Sequence, residues 1–228
     1  MTARLVTCEH ASARVPARWA EALRPARALL AGHRAFDPGA ARLARDLARA
    51  LHAPLLLGTA TRLLVDLNRS PANPRRFSSC TRALPAEDRA RIMTCHYWPY
   101  RLAVEEAVRT AAGPVLHLSV HSFTPMRGRG RRTMDVGLLY DPARPRERRV
   151  AAAWQRSLAA VAPALRVARN RPYRGTSDGL TRALRRRFPD RHYAGLEVEV
   201  NQAIACGAPA RWDALRRLLA RTAATLEG

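Results

Sequence analysis

The segment Val115-Leu-His-Leu-Ser-Val-His121 decides the fold, because it is a short, largely apolar run with the length of a buried strand. Its apolar and polar residues do not separate cleanly onto two faces, which is typical of a strand that is covered on both sides. Three other apolar runs end in a similar cluster of polar residues. They span residues 4–10, 63–69 and 194–199.

Helical patterns separate these runs along the chain. Apolar residues recur at helical spacing after Asp37 and Pro38, which we interpret as the N-cap and first position of a helix that ends near Leu51. Further strands are predicted at 53–57, 62–67 and 136–140, and further helices at 98–112, 146–161 and 208–225. Strands that alternate with helices favour an α/β fold. We expect a three-layer sandwich with a mainly parallel or mixed central sheet and helices on both faces.

Length and composition set the limits of this fold. The chain has 228 residues, of which 47% are hydrophobic, which is enough for one well-buried core and short for two. We therefore expect a single domain over residues 1–228. No leader-like segment precedes the first strand and no stretch approaches the ~20 apolar residues that span a bilayer, so we expect a cytoplasmic protein without a membrane partner.

The cysteines support the same compartment. They lie far apart, with no close pair of the kind that forms a thiolate zinc site or a disulfide framework. We predict four free thiols in a reducing environment. The four are Cys8, Cys80, Cys95 and Cys206.

The net charge of +22 suggests an anionic partner. Every basic residue other than histidine is an arginine, and these arginines are spread through all the predicted helices rather than gathered in a patch. The densest run, residues 127–132, lacks the interleaved aromatic residues of a single-strand binding surface. Nucleic acid is therefore not expected as the main partner.

Polar residues at the carboxyl ends of strands converge on one crevice of an α/β sheet. Glu9 and His10 end the first predicted strand, and His121 ends the central one. Two imidazoles and one carboxylate are ligands of hydrolytic zinc sites, in which one coordination position stays open for water. Asp37 is an alternative to Glu9 as the carboxylate ligand. The other interpretation is that both histidines are hydrogen-bonded strand-end residues without a metal.

Two acidic residues lie on one face of the last predicted strand. Glu197 and Glu199 are two positions apart and so share that face, among apolar neighbours. Burying two acids is costly unless they belong to a site, where a neighbouring carboxylate or desolvation raises the pKa of one and suits it to act as a general base. The alternative is a solvated edge strand. Arg69 follows another strand-like run, where its planar guanidinium could bind a carboxylate.

Seven motifs, in the same order along the chain, resemble those of the N-formylglutamate amidohydrolase family. The resemblance extends from the first strand to about residue 202. The motifs are Cys-Glu-His-Ala-Ser (8–12), Asp-Pro-Gly-Ala (37–40), Arg-Leu-Leu-Val-Asp-Leu-Asn-Arg-Ser (62–70), Ser-Val-His-Ser-Phe-Thr-Pro (119–125), Arg-Thr-Met-Asp-Val-Gly-Leu-Leu-Tyr (132–140), Asn-Arg-Pro-Tyr-Arg-Gly-Thr-Ser-Asp-Gly (170–179) and Gly-Leu-Glu-Val-Glu-Val-Asn-Gln (195–202).

This resemblance implies a zinc-dependent amidohydrolase with an α/β sandwich related to the zinc carboxypeptidases and aspartoacylase. It implies that His121, His10 and Glu9 bind one zinc ion. Family members often carry Gln at the place of Glu197, which makes Glu199 the general base and Glu197 its supporting neighbour. The substrate-binding residues that it implies are Asn68, Arg69, Arg132, Tyr173, Arg174 and Asp178, with Arg132 on the second carboxylate or the developing oxyanion and residues 173, 174 and 178 in a loop that closes over the substrate.

The activity expected from this resemblance is hydrolysis of the amide of an N-acyl amino acid. N-formyl-L-glutamate, giving formate and L-glutamate, is the leading substrate, and histidine degradation is the implied pathway. One alternative is an amidohydrolase of the same family that acts on a different N-acyl or peptide-like substrate. A second alternative, from a different class, is a metal-free protein that binds an anion or nucleic acid.

Overall fold

The structure of the protein is a computed structural model that describes residues 2–128 and 130–226. Arg129, within the arginine-rich run 127–132, lies outside the described residues, as do the first residue and the last two of the predicted domain. Eight strands are present in the described part. They are β1 (Ala3–Cys8), β2 (Leu55–Leu57), β3 (Val115–Phe123), β4 (Met126–Arg127), β5 (Gly130–Arg131), β6 (Val136–Leu139), β7 (Val167–Arg169) and β8 (Tyr193–Asn201).

Six of these strands form one mixed sheet in the order β2-β1-β3-β8-β6-β7. Every pairing in this sheet is parallel except that of β6 with β8, which is antiparallel. Strands β4 and β5 form a separate antiparallel hairpin. The central strand β3 is buried along its whole length, as its mixed pattern predicted.

The helices are α1 (Ala20–Leu23), α2 (Ala40–Leu51), α3 (Ser79–Arg82), α4 (Ala86–Ile92), α5 (Trp98–Arg109), α6 (Pro145–Val161), α7 (Leu180–Arg187), α8 (Gln202–Ala205) and α9 (Pro209–Ala224). Three short 3₁₀ segments lie at Ala17–Trp19, Arg24–Leu29 and Pro74–Arg76, and a π turn at Met93–Tyr97 joins α4 to α5.

One face of the sheet is apolar and carries helices α2, α6 and α9. Leu118, Val120 and Leu196 project from the central strands into this layer and are fully buried there. Trp154 of α6 packs in the same cluster, and its indole Nε1 donates a hydrogen bond to Thr222 of α9. Apolar packing dominates this face.

The opposite face combines apolar packing with polar residues. Near the amino ends of the strands, Leu5 and Tyr193 pack against Val108 of α5 and Leu184 of α7. Toward the carboxyl ends, the same face carries polar side chains instead. Helices therefore cover both faces, and the predicted three-layer α/β sandwich is confirmed.

The predicted strand at 62–67 is wrong. Its backbone bonds to itself and to neighbouring loops: the Leu64 N–H donates to the Thr61 carbonyl, and the Asp66 N–H to the Arg76 carbonyl. Its leucines are nevertheless buried, in a cluster with Trp19 and Tyr97 that lies beside the sheet. A short apolar run indicates burial but does not distinguish a strand from a buried turn.

The predicted start of the second helix is also corrected. Helix α2 begins at Ala40, and its N-cap is Gly39 with a left-handed φ of 82° rather than Asp37. A Cβ at this glycine would lie 2.8 Å from the Cβ of Ala205, so both the conformation and the space require glycine. The Asp37 side chain therefore does not cap α2 and is available for other contacts.

All four cysteines are free thiols, as predicted. Among the described residues, no helix combines the length and the apolar character needed to cross a membrane.

Candidate active site

A cavity of about 230 Å³ opens where the carboxyl ends of β1, β3 and β8 meet. The polar residues predicted at these strand ends do converge there, although they come from distant parts of the chain. The cavity is lined by His10, Asp37, Arg62, Asp66, Asn68, Arg69, His121, Ser122, Tyr173, Arg174, Ser177, Asp178, Glu197 and Glu199.

Two histidines and one aspartate form the innermost group of this cavity. The Asp37 carboxylate oxygen Oδ2 lies 3.2 Å from His10 Nδ1 and 3.0 Å from His121 Nδ1. All three side chains are buried, and their three potential ligand atoms lie within 4.8 Å of one another. This is the one group of histidines, cysteines and acids in the described part of the chain that could hold a metal ion.

The outer nitrogens of the two imidazoles face other carboxylates. His10 Nε2 lies 2.7 Å from Asp66 Oδ1, and His121 Nε2 lies 2.9 Å from Glu9 Oε2. A proton on each Nε2 satisfies these contacts and leaves each Nδ1 directed toward Asp37. Carboxylates that hold the remote nitrogen in this way are the usual companions of metal-binding histidines, so the donor set fits a zinc ion.

The structure therefore places Asp37, rather than Glu9, among the potential ligands, which corrects the ligand set expected from the resemblance. Glu9 is fully buried behind His121, where its carboxylate accepts hydrogen bonds from Ser119 Oγ at 2.6 Å and Tyr100 Oη at 2.8 Å. Asp37 reaches the site because its backbone N–H donates to the His10 carbonyl at 2.9 Å, which fixes the loop against the end of β1.

Charges inside the cluster are closely balanced. Arg62 donates to Asp37 at 3.3 Å and to Asp66 at 2.7 Å. Burial alone would raise the pKa of Asp37, but the adjacent His10, His121 and Arg62 lower it well below its usual range. The pKa of Asp66 is likewise lowered, against its burial, by Arg62 and His10.

The histidines respond in the opposite direction. Burial disfavours their charged forms, but the neighbouring carboxylates raise the pKa of His10, and raise that of His121 well above its usual value. When no metal ion is bound, the carboxylates of the site therefore favour the positively charged form of both imidazoles.

Glu199 is the one acid of the cavity whose pKa rises. Burial raises its pKa to about 8, with Asp37 and Glu197 adding to the effect. Its Oε2 is buried and has no hydrogen-bond partner within the described part of the chain. Glu197 lies on the same face of β8, as the period of two predicted, but its Oε1 accepts a hydrogen bond from the Thr181 hydroxyl at 2.6 Å.

The residues expected to bind substrate divide into three groups. Arg69 and Arg174 line the cavity. Arg69 donates to the Asp178 carbonyl at 3.3 Å and lies 3.9 Å from an oxygen of Asp66. Asn68 Nδ2 lies 3.5 Å from His121 Nε2, while its Oδ1 accepts from the Leu180 N–H at the start of α7. Asp178 accepts from the Ser70 N–H and from Asn73, so it joins two loops rather than presenting a free carboxylate.

Arg132 is not among the residues that line the cavity, which differs from the expected role. Its guanidinium donates to the Thr124 carbonyl at 2.9 Å and lies over the ring of Phe123 and that of Tyr173, at 5.5 and 5.1 Å from the centroids. It supports Tyr173, a half-exposed residue that does line the cavity.

Sequence reasoning did not assign roles to Arg62, Asp66 or Ser122, which all line the cavity. Arg62 and Asp66 lie four residues apart within one of the conspicuous motifs. The sequence predicted a strand over 62–67. That prediction gave no reason to expect Arg62 and Asp66 beside His10. Ser122 donates its hydroxyl to the Pro38 carbonyl.

A buried carboxylate between two histidines, beside an acid of raised pKa at the carboxyl edge of an α/β sheet, is typical of a hydrolytic enzyme. The chain belongs to the N-formylglutamate amidohydrolase family, whose model matches residues 2–205. Membership in this family implies hydrolase activity on amides.

A crystal structure of a gene product from Agrobacterium tumefaciens is similar to this chain, with 27% sequence identity and a TM-score of 0.80. The similarity covers 97% of this chain and 90% of that one. No curated protein sequence matches the chain significantly.

Proposed function

We propose that this protein hydrolyses N-formyl-L-glutamate to formate and L-glutamate in a zinc-dependent reaction. The observation that carries the proposal is the meeting of His10, Asp37 and His121 with the unpartnered Glu199 in one cavity. A zinc ion bound there would supply Lewis-acid chemistry, making water acidic and polarising the amide carbonyl. His10, His121 and Asp37 would hold the ion.

Glu199 is the proton carrier in this proposal. Its carboxylate accepts the proton from the attacking water, and its raised pKa suits it to deliver that proton to the departing amide nitrogen. In the net reaction, water adds across the amide C–N bond, which breaks to give a carboxylic acid and an amine. Glu197, held by Thr181, lies on the same strand face and contributes to the raised pKa of Glu199.

The arginines of the cavity support an acidic substrate. Arg62 is occupied by Asp37 and Asp66. Arg69 and Arg174 also line the cavity, and Arg69 has weaker contacts, with the Asp178 carbonyl at 3.3 Å and with Asp66 at 3.9 Å. We assign Arg69, with Asn68, to the α-carboxylate and Arg174 to the side-chain carboxylate of the substrate. The cavity of about 230 Å³ is at the small end for ligand sites, which suits a formylated amino acid better than a long peptide.

The test is formate release from N-formyl-L-glutamate by the purified protein, before and after chelation and with zinc restored. We expect activity to disappear with the chelator and return with zinc. Asp37→Asn should lose both zinc and activity, whereas the matched variant Asp88→Asn, a partly exposed acid in α4, should keep both. Zinc content measured by atomic emission separates failure to bind from failure to react.

A substrate panel distinguishes the nearest alternative. N-formyl-L-glutamine removes only the second negative charge, and N-acetyl-L-glutamate changes only the acyl group. Faster hydrolysis of either one would keep the amidohydrolase class and overturn the proposed substrate. If the protein neither binds zinc nor releases formate, the metal-free binding protein becomes the better hypothesis. We place the reaction in histidine degradation in the cytoplasm, which the resemblance and the free cysteines support.

A further inference from the structure

The loop between β7 and α7, residues 170–179, forms one wall of the cavity. It contributes four residues to the lining, Tyr173, Arg174, Ser177 and Asp178. The backbone of the same loop is partly inside the protein, since Gly175 and Gly179 are buried. Loops that open and close make few buried contacts, so the hydrogen bonds of this backbone show whether the loop is a lid or a fixed wall.

Asn170 closes the first half of this loop. The residue directly follows β7 and has a left-handed φ of 53°. Its side-chain oxygen Oδ1 accepts hydrogen bonds from the Tyr140 N–H at 3.0 Å and from the Gly175 N–H at 3.1 Å. Its own N–H donates to the Leu138 carbonyl at 2.9 Å. One side chain therefore connects the ends of β6 and β7 to the residue that follows Arg174.

The sheet leaves room for the loop on β6. Gly137 lies opposite Glu199 in the sheet, and a Cβ at Gly137 would lie 2.1 Å from the Arg171 carbonyl oxygen. The loop backbone thus rests directly on the sheet beside the proposed proton carrier, where a side chain at position 137 would displace it. The Gly175 carbonyl is held as well, because it accepts from Arg185 Nη1 at 2.6 Å.

The second half of the loop is joined to the segment that carries Arg69. Asp178 Oδ2 accepts from the Ser70 N–H at 3.1 Å and from Asn73 Nδ2 at 2.6 Å. Between the two held ends, the Tyr173 ring lies 5.1 Å from the Arg132 guanidinium carbon. Groups of the protein itself therefore fix the loop at both ends and in the middle.

We propose that Asn170 is a positioning residue that keeps this loop preformed and thereby places Arg174 at the side-chain carboxylate of the substrate. Gly175 is bonded through both its N–H and its carbonyl, so Arg174 extends from a rigid base. Such preorganisation lowers the cost of ordering the protein when a ligand binds, and it therefore improves affinity rather than the chemical step. The proposal rests on the proposed function, because it takes Arg174 as the group that selects the second negative charge.

The first test is the kinetics of formate release by variants of the full chain. Asn170→Gly removes the acceptor and tolerates the left-handed backbone. It should raise KM for N-formyl-L-glutamate about tenfold, as expected when one hydrogen bond to a charged group is weakened, with kcat nearly unchanged. The ratio of kcat/KM for N-formyl-L-glutamate to that for N-formyl-L-glutamine should fall accordingly. Asn170→Asp keeps the acceptor and should retain the wild-type KM.

A matched control and a double-mutant cycle separate positioning from general destabilisation. His52 is the other described non-glycine residue with a left-handed φ, and it lies exposed at the end of α2. His52→Gly should therefore leave KM unchanged. In an Arg174→Gln background, Asn170→Gly should raise KM no further, because the group that it positions is already gone.

Hydrogen exchange tests the loop without any substrate. The amides of residues 171–178 should exchange faster in Asn170→Gly than in the wild type, and no faster in His52→Gly. If Asn170→Gly does not fold, Asn170→Ser replaces it, since the serine oxygen lies one bond nearer the backbone than the asparagine oxygen.

Each outcome decides the proposal. An unchanged KM in Asn170→Gly or in Arg174→Gln would overturn it, as would a full further rise in KM when the two changes are combined. Equal exchange of the loop amides in Asn170→Gly and the wild type would also overturn it, whatever the activity. Wild-type protein that releases no formate would instead overturn the proposed function, so the two failures are distinguishable.

Discussion

At the scale of single residues, hydrogen-bond partners distinguish side chains that the sequence treats alike. Glu197 and Glu199 share one face of β8 and both line the cavity. Thr181 donates to Glu197, whereas Glu199 is buried with a free oxygen and a pKa raised to about 8. The two-residue period of a strand predicted that the two acids share a face. It could not predict the hydrogen bond to Glu197, because Thr181 lies on α7 and reaches that acid only in the tertiary structure.

The first prediction follows from this difference. Glu199→Gln should lower kcat by about 10²–10⁴-fold, because the amide cannot carry a proton between water and the leaving nitrogen. Glu197→Gln should lose far less, since the amide oxygen can still accept from Thr181. Formate release measured at saturating substrate gives both values. Equal losses in the two variants, with zinc retained in both, would contradict the assignment of the base.

The candidate metal ligands show how much a residue pattern can predict. His10 and His121 were identified from their places after strands, because parallel strands bring their carboxyl ends to one edge. The choice between Glu9 and Asp37 was left open, since it depends on a loop that folds back to bond its N–H to the His10 carbonyl. Gly39, whose φ is left-handed, allows that loop. The glycine can be read from the sequence, but its conformation is known only from the structure.

At the scale of elements, the sequence predicted the central strands and long helices because their apolar patterns match one fold at every level. It failed at residues 62–67, where the apolar run is buried in turns. It also gave no sign that β6 would run antiparallel to β8, since orientation depends on how the connecting loops cross the sheet. The antiparallel pairing does not affect the candidate ligands His10 and His121, because these follow or end β1 and β3, which are parallel.

Helices α6 and α7 are joined by a buried ion pair that also supports the loop over the cavity. Arg185 Nε lies 2.8 Å from Glu147 Oε1, and the same guanidinium donates to the carbonyls of Gly175 and Gly195. Gly175 follows Arg174 directly in the loop over the cavity. The pair therefore connects two helices, the sheet and the loop that carries Arg174, a residue that lines the cavity.

Breaking this pair should be expensive. Arg185→Met should lower the free energy of unfolding by about 3 kcal/mol, because it removes the hydrogen-bonded cation of the buried Glu147 and leaves only Arg144, whose Nε lies 3.7 Å away. The double variant Arg185→Met with Glu147→Gln should recover part of that loss. Arg187→Met, whose exposed side chain pairs with Glu105 on the surface, should change stability by less than about 1 kcal/mol. Urea unfolding measures all three, and equal stability of the Arg185 and Arg187 variants would exclude a structural role for the buried pair.

At the scale of the whole molecule, the net charge of +22 and the buried site have separate roles. Exposed arginines account for most of that charge, and they attract anions without selecting among them. In the buried cluster, by contrast, Glu9, Asp37 and Asp66 lie beside Arg62 and beside two histidines whose pKa values they raise. Composition could predict the first property, but only the assembled fold shows the second.

This balance makes the stability of the metal-free protein depend on pH. His10 and His121 have folded pKa values above their ordinary 6.5, so their stabilising contribution is complete below that pH and is lost as pH rises through the raised values. Glu199, whose folded pKa of about 8 exceeds its ordinary 4.5, acts in the same direction, since its ionisation in the folded state is unfavourable. Asp37 and Asp66, with lowered pKa values, lose their contribution only under acidic conditions.

We therefore expect the free energy of unfolding of the metal-free protein to fall between about pH 6 and about pH 8.5, as the site accumulates uncompensated negative charge. With zinc present the fall should be smaller, because a bound cation replaces the two imidazole protons and binds more tightly as they leave. Urea unfolding at both pH values, with chelator or with zinc, measures the difference. Glu199→Gln isolates the histidines, since it removes the one titrating acid and should keep most of the slope. An identical pH dependence with and without zinc would show that the metal does not replace these protons, and the cluster would then be a structural network rather than a metal site.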